Sequence, residues 1–224
     1  MNNIKIYLIR HGKTYCNEKQ LYSGKTDVEL SESGIEELKE KAEKIKYPEC
    51  DYYFTSGAKR ANQTLEILCP NKKYEVLEKL FDYNFGDFEL KSYNDLKDKK
   101  EYIEWLNDEE GNICCPNGES RRQFKMRIKK GFTELVEHLK NNNIDKALGV
   151  THGGTIGIIL EAMYNSSKKF YEWQPKNGDG YEITISFSSR CLNEADSSTD
   201  KYNNVQNNNA EFKIVDVKKI EEQE

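Results

Sequence analysis

Four side chains in this sequence are of the types that handle a phosphate-like dianion: Arg10, His11, Arg60 and His152. Guanidinium forks bind oxygens in pairs and neutralise charge that would otherwise repel an incoming nucleophile. An imidazole nitrogen can itself be that nucleophile, splitting one difficult transfer into two displacements through a phosphohistidine. Positioning and charge stabilisation do most of the work in phosphoryl transfer. Two arginines in place of a metal ion make Mg²⁺ unnecessary, so neither metal nor cofactor is expected.

The four become a set through the elements that carry them. Ile4, Ile6 and Leu8 alternate with Lys5, Tyr7 and Ile9, the period of a strand, and the run ends at Arg10-His11-Gly12. In open α/β sheets, ligands sit outside the carboxyl ends of strands. The arrangement recurs at Lys146–Thr151, which ends in His152-Gly153-Gly154 and runs into a helix carrying Ile156, Ile159, Leu160 and Met163. Backbone N–H groups at such a helix start favour anions. Tyr52–Ser56 reads as a second strand, followed by a helix marked by Ala61, Leu65 and Leu68 with Arg60 in its first turn.

The remaining segments frame these. Ser33 and Glu36 stand at capping-box spacing before an amphipathic helix (Ile35, Leu38, Ala42, Ile45) expected to stop near Pro48. Tyr74–Leu77 reads as a strand. Residues 80–120 are irregular and aromatic, a pattern of core packing or of a lid. Phe124, Ile128, Phe132, Leu135 and Leu139 share one face of a long helix starting at Ser120, with His138 on its solvent flank. Tyr181, Ile183, Ile185 and Phe187 alternate, as do Phe212 and Ile214, so two more strands are expected. The polar stretch Ser188–Ala210 between them reads as an insertion without chemistry. Strands alternating with helices predict one α/β domain over residues 1–224, three-layered, with a mainly parallel central sheet and helices on both faces.

Composition narrows the partners. A net charge of −5 provides no global field for nucleic acid or an anionic membrane, so an anion site must be a local cluster. No apolar run approaches the ~18 residues of a membrane span, and Lys5 and Arg10 interrupt any signal-peptide core. A cytoplasmic protein acting on a small molecule is expected. The six cysteines are then expected as free thiols. Cys115 and Arg121 have the Cys-x5-Arg spacing of cysteine-dependent phosphatases, but Pro116 removes a donor, Glu119 would repel the anion, and no apolar strand leads into Cys115.

The chain resembles the histidine phosphatase superfamily, the phosphoglycerate-mutase-like proteins, at a series of places in order. These are Arg10-His-Gly-Lys-Thr14 with Asn17; Gly24-Lys-Thr-Asp27 with Leu30-Ser31 and Gly34; Thr55-Ser56 with Arg60-Ala61 and Gln63-Thr64; Phe85-Gly86 with Glu89; Gly118-Glu119-Ser120; and Val150-Thr-His-Gly-Gly154. The resemblance implies that His11 is the nucleophile and that Arg10, Arg60 and His152 form the phosphate pocket. Asn17, Gly24, Glu89 and Gly153 are expected to line the substrate site. The family's acid is a Glu just before the Phe-Gly pair; here Asp82 stands there, one methylene shorter, with Glu89 as the fallback. True mutases of this type resemble longer chains, with paired arginines after a Trp and His-Gly-Asn at the second histidine. Here Leu106-Asn107 follow Trp105 and Gly153-Gly154 follow His152, which favours a phosphatase for small phosphomonoesters. A mutase, or a phosphate-binding regulator with little turnover, remains the alternative.

Overall fold

The computed structural model describes residues 3–45, 47–187 and 212–220. Among these residues six strands form one sheet: β1 (Ile4–Arg10), β2 (Tyr52–Thr55), β3 (Glu75–Val76), β4 (Lys146–Thr151), β5 (Gly180–Phe187) and β6 (Phe212–Lys219). Their order is β3-β2-β4-β1-β5-β6. The pairs β2–β3, β2–β4 and β1–β4 are parallel, whereas β5 runs antiparallel to both β1 and β6. The sheet is therefore mixed, with a parallel majority of pairings as expected. The insertion expected at Ser188–Ala210 lies outside the described residues.

Local sequence explains the helices. They are α1 (Tyr15–Glu18), α2 (Glu32–Lys44), α3 (Lys59–Leu68), α4 (Tyr93–Leu96), α5 (Lys100–Leu106), α6 (Arg121–Asn141) and α7 (Gly153–Met163). Ser120 caps α6 in a full capping box with Gln123, satisfying two of the amides a helix start leaves unpaired. The cap of α2 is Ser31, not the expected Ser33: the Ser31 hydroxyl accepts from Gly34 N at 3.1 Å, while Ser33 donates to Glu18 at 2.6 Å. The entry is set earlier because Ser31 N is already held by Lys13 O at 3.0 Å. The helix also ends sooner than Pro48, since Ile45 turns extended to bury its side chain.

Strand alternation makes the layers. Ile4, Ile6 and Leu8 face a core with Phe124, Ile128 and Phe132 of α6 and Ile156, Ile159 and Leu160 of α7. Tyr7 and Ile9 face the opposite core, with Leu38 of α2 and Ala61, Leu65 and Leu68 of α3. Each fully buried Leu or Ile contributes roughly 1.5–3 kcal/mol, so a sheet buried on both faces is the stable solution. His138 is exposed, as its place on the α6 flank predicts. Among the described residues no helix is long and apolar enough to cross a membrane.

Three features of this frame serve the site. β1 and β4 are adjacent and in register from Lys5↔Lys146 to Arg10↔Thr151, so the residues after both strands open onto one crevice. The helix after β2 brings Arg60 to the same end of the sheet. The chain then returns to that end after α7: Gly178 N bonds Arg10 O at 2.9 Å and Arg10 N bonds Asp179 O at 2.9 Å. β5 starts there, which is why it is antiparallel.

Candidate active site

His11 follows β1 and is 4% exposed. Its amide bonds Thr151 O at 2.9 Å, and the next amide, Gly12 N, bonds Thr64 Oγ1 at 2.9 Å. The ring lies with Nδ1 2.7 Å from Gly12 O. A carbonyl oxygen only accepts, so Nδ1 carries the proton and Nε2 keeps its lone pair. Burial, then the charges of Arg60 and Arg10, hold this imidazole well below its ordinary pKa. It is held neutral, the state in which an imidazole nitrogen is able to attack.

His152 is fully buried and meets the His11 ring edge-on, with centroids 5.2 Å apart. Its Nδ1 is 3.3 Å from Arg60 Nη2. Since a guanidinium only donates, Nδ1 accepts there, and Nε2–H donates to Ser56 Oγ at 2.8 Å. Its pKa too is depressed, by burial first and by Arg60 next. Arg60, 1% exposed, also donates to Thr26 O at 3.0 Å and Gly24 O at 2.8 Å. Arg10 donates from Nη1 to Pro175 O at 2.9 Å, whereas its Nε is buried without a partner. An unpaired buried N–H costs free energy, and an anion's oxygen would recover it. Gly153 makes room for this guanidinium: a Cβ there would lie 3.2 Å from Arg10 Cζ.

Asp82 completes the crevice. Its Oδ1 accepts from Tyr83 N at 2.9 Å, and Oδ2 lies 3.3 Å from His152 Nδ1 and 3.6 Å from Arg60 Nη2. Burial raises its pKa, and Arg60 only partly opposes this. A carboxyl held toward its protonated form suits a proton donor.

Glu89 occupies a different position from the pocket lining, or fallback acid, expected of it. Its two oxygens accept from Gly24 N at 2.9 Å, Lys25 N at 2.8 Å, Thr26 N at 3.3 Å and Phe85 N at 3.1 Å. Four backbone donors leave it shaping a loop, the same loop whose carbonyls hold Arg60. Gly24 is obligatory there because its backbone passes the Tyr83 carbonyl: a Cβ would lie 1.6 Å from that oxygen. Gly24→Ala must therefore displace the loop and loosen Arg60. We expect a loss of at least tenfold in affinity for inorganic phosphate, of the size of about one charge-assisted hydrogen bond, measured by calorimetric titration. Asn17, expected at the rim, turns its Oδ1 to Thr14 N at 3.1 Å and Asn177 Nδ2 at 3.3 Å.

Two residues escaped the sequence reading. Asn177 ties the site together by donating to His11 O at 3.0 Å; its only signal was a turn-rich Pro-Lys-Asn-Gly context. Arg127 donates to the Asp82 carbonyl at 2.9 Å; its signal was a charge beside the apolar stripe of α6. The Cys-x5-Arg pair has no such geometry. Burial pushes the Cys115 thiol up to about 12, and Arg121 turns its Nη2 to the carbonyls of Trp105 and Asp108. Cys16, Cys50, Cys69, Cys114 and Cys115 are free thiols.

Donor atoms of His11, Asp82 and His152 lie within 4.8 Å of one another, close enough to ligate a cation. Arg60 stands within 3.6 Å of two of these side chains, and its fixed charge repels a cation where it attracts an anion. Two neutral imidazoles and two guanidiniums thus share one crevice at the ends of strands in an α/β fold, a set of groups suited to an anion. A family model for the histidine phosphatase superfamily (branch 1) matches residues 6–190, and the chain belongs to that superfamily. It is 29% identical over 161 residues to adenosylcobalamin/alpha-ribazole phosphatase of Escherichia coli strain K12, covering 70% of this chain and 77% of that protein. Phosphoglycerate mutase of Schizosaccharomyces pombe is 30% identical over 166 residues, covering 69% and 77%. The crystal structure of alpha-ribazole phosphatase from Shigella flexneri shares the fold, with a TM-score of 0.70 at 24% identity over 83% of this chain and 91% of that one.

Proposed function

We propose that this protein is a metal-independent phosphomonoesterase acting on a small phosphorylated metabolite through a phosphohistidine. The observation that carries the reading is the His11 tautomer: donation from Nδ1 to Gly12 O leaves Nε2 as an unprotonated nucleophile. The dianion sits between Arg10, whose unpaired Nε–H donates to one of its oxygens, Arg60 and His152. His11 Nε2 forms a bond to phosphorus as the ester P–O bond breaks, and Asp82 gives its proton to the departing alcohol oxygen. The Asp82 carboxylate then takes a proton from water, whose oxygen attacks phosphorus and breaks the P–N bond. Inorganic phosphate leaves and Asp82 is again protonated. Because the arginines balance the charge, the cycle needs no cation. Glu89 acts in it as the residue that positions the 24–26 loop.

The test is rapid quench with p-nitrophenyl phosphate labelled in its phosphoryl group, with EDTA present. Acid-labile, alkali-stable label should appear on the protein in step with the first equivalent of p-nitrophenol. Product formation with no label on the protein would overturn the proposal. The mutase relative supports a second reading, in which a hydroxyl of another substrate replaces water. Incubation of the same phosphoenzyme with phosphoglycerates separates the two: hydrolysis yields inorganic phosphate, transfer yields a labelled bisphosphate.

A further inference from the structure

We infer that Arg127, paired with Glu119, is a positioning residue that holds the main chain of Asp82 so that its short carboxyl reaches the leaving oxygen. The inference rests on Asp82 being the acid.

The segment 79–82 starts inside a single 3-10 turn (Glu78–Leu80), and at Asp82 it belongs to no helix or strand. Its carbonyls are nonetheless all bound. Arg127 Nη1 donates to Lys79 O at 3.1 Å and Phe81 O at 2.8 Å, and Nη2 donates to Asp82 O at 2.9 Å. Thr151 Oγ1 donates to the remaining one, Leu80 O, at 2.8 Å. The other two donors of Arg127 go to Glu119: Nη2 to Oε1 at 2.6 Å and Nε to Oε2 at 3.3 Å. All five N–H groups of the guanidinium are thus used, three on the acid-bearing segment and two on a carboxylate that orients the fork. Glu119 Oε1 also accepts from Asn84 N at 2.9 Å, gripping the chain beyond Asp82.

Side-chain length gives this clamp its consequence. A longer acid can correct a displaced backbone by rotating one more bond. Asp82 has only two torsions, so an error in its main chain passes almost undiminished to its oxygens. Lysine cannot replace the fork, because a single ammonium does not span three separate carbonyls.

The experiment compares kcat/KM for ethyl phosphate, whose alcohol must be protonated to leave, with that for p-nitrophenyl phosphate, whose phenolate leaves unaided. This ratio reports steps through departure of the alcohol and is blind to later hydrolysis. In Arg127→Lys we expect ethyl phosphate to lose roughly 10–100-fold, the range of a misplaced acid, and p-nitrophenyl phosphate less than about threefold. Combining Arg127→Lys with Asp82→Asn should add no further selectivity to that of Asp82→Asn alone. Equal losses on both esters, no loss on either, or a full additional loss in the double variant would overturn the clamp. If Arg127→Lys does not fold, Glu119→Gln, which keeps shape and removes the charge that orients the fork, should show the same selectivity at smaller size, and its absence there would also overturn the clamp. Should Asp82→Asn alone show no selectivity, the acid assignment fails, and the clamp with it. Selectivity in Asp82→Asn without any in Arg127→Lys rejects the clamp alone.

Discussion

His11→Ala should eliminate turnover while leaving the anion pocket able to bind. The substitution removes the only protein atom that forms a bond to phosphorus in the proposed cycle, so kcat should fall by at least about 10⁴-fold, equivalent to about 5.5 kcal/mol of barrier. Arg10, Arg60 and His152 keep their own anchors: Pro175 O for the first, Gly24 O and Thr26 O for the second, Ser56 for the third. Affinity for inorganic phosphate should therefore change by only a few fold. Phosphate release assays paired with calorimetric titration test both halves, and residual turnover within tenfold of the parent would reject the nucleophile. The variant should also resist acid better. A buried imidazole with a depressed pKa stays neutral in the fold but protonates when unfolded, so its contribution to stability is present above about pH 6.5 and lost as pH falls. Removing one of the two such imidazoles makes the decline in Tm between about pH 6.5 and 5 shallower.

Asp82→Asn should separate substrates by leaving group. Loss of a general acid costs about 10²–10⁴-fold where protonation limits the rate, so kcat/KM for ethyl phosphate should drop by that factor and p-nitrophenyl phosphate by much less. The phosphoenzyme should accumulate with p-nitrophenyl phosphate, because its formation is little affected while the same carboxylate activates water in the second step. Burial raises the Asp82 pKa, so parent activity on ethyl phosphate should decline as pH rises through that value, and the decline should vanish in the variant. The stability change has the opposite sign from the activity change. A carboxyl with a raised folded-state pKa costs stability as pH rises from its ordinary value, about 3.9, through the raised one, so the variant should melt higher at pH 7. Full turnover of ethyl phosphate by Asp82→Asn would remove it from the mechanism.

Legibility in the sequence followed the range of the forces involved. Burial of one strand face and one helix stripe leaves a period in the chain, so β1, β4 and α6 were readable, and with them the points at which Arg10, His11 and His152 leave the sheet. Ser33 stands at capping-box spacing yet does not cap, because Ser31, two positions earlier, is fixed at the helix entry by Lys13 O, a contact of tertiary origin. Glu89 is expected in the site only through the family resemblance carried by Phe85-Gly86. Its four backbone partners, up to 65 residues away, leave no mark on composition or spacing.

The amino-acid order alone determined the layered α/β class, the strand-end placement of the two histidines, and the cationic companions of a phosphate-like group. Only the folded molecule decided that β5 turns back against β1, that Nε2 of His11 is the free nitrogen, and that Arg127 grips a segment 45 residues upstream. Periodic burial is written locally, because neighbouring residues share one surface. Hydrogen bonds to distant carbonyls are not, because any side chain may face any backbone once the chain has closed upon itself.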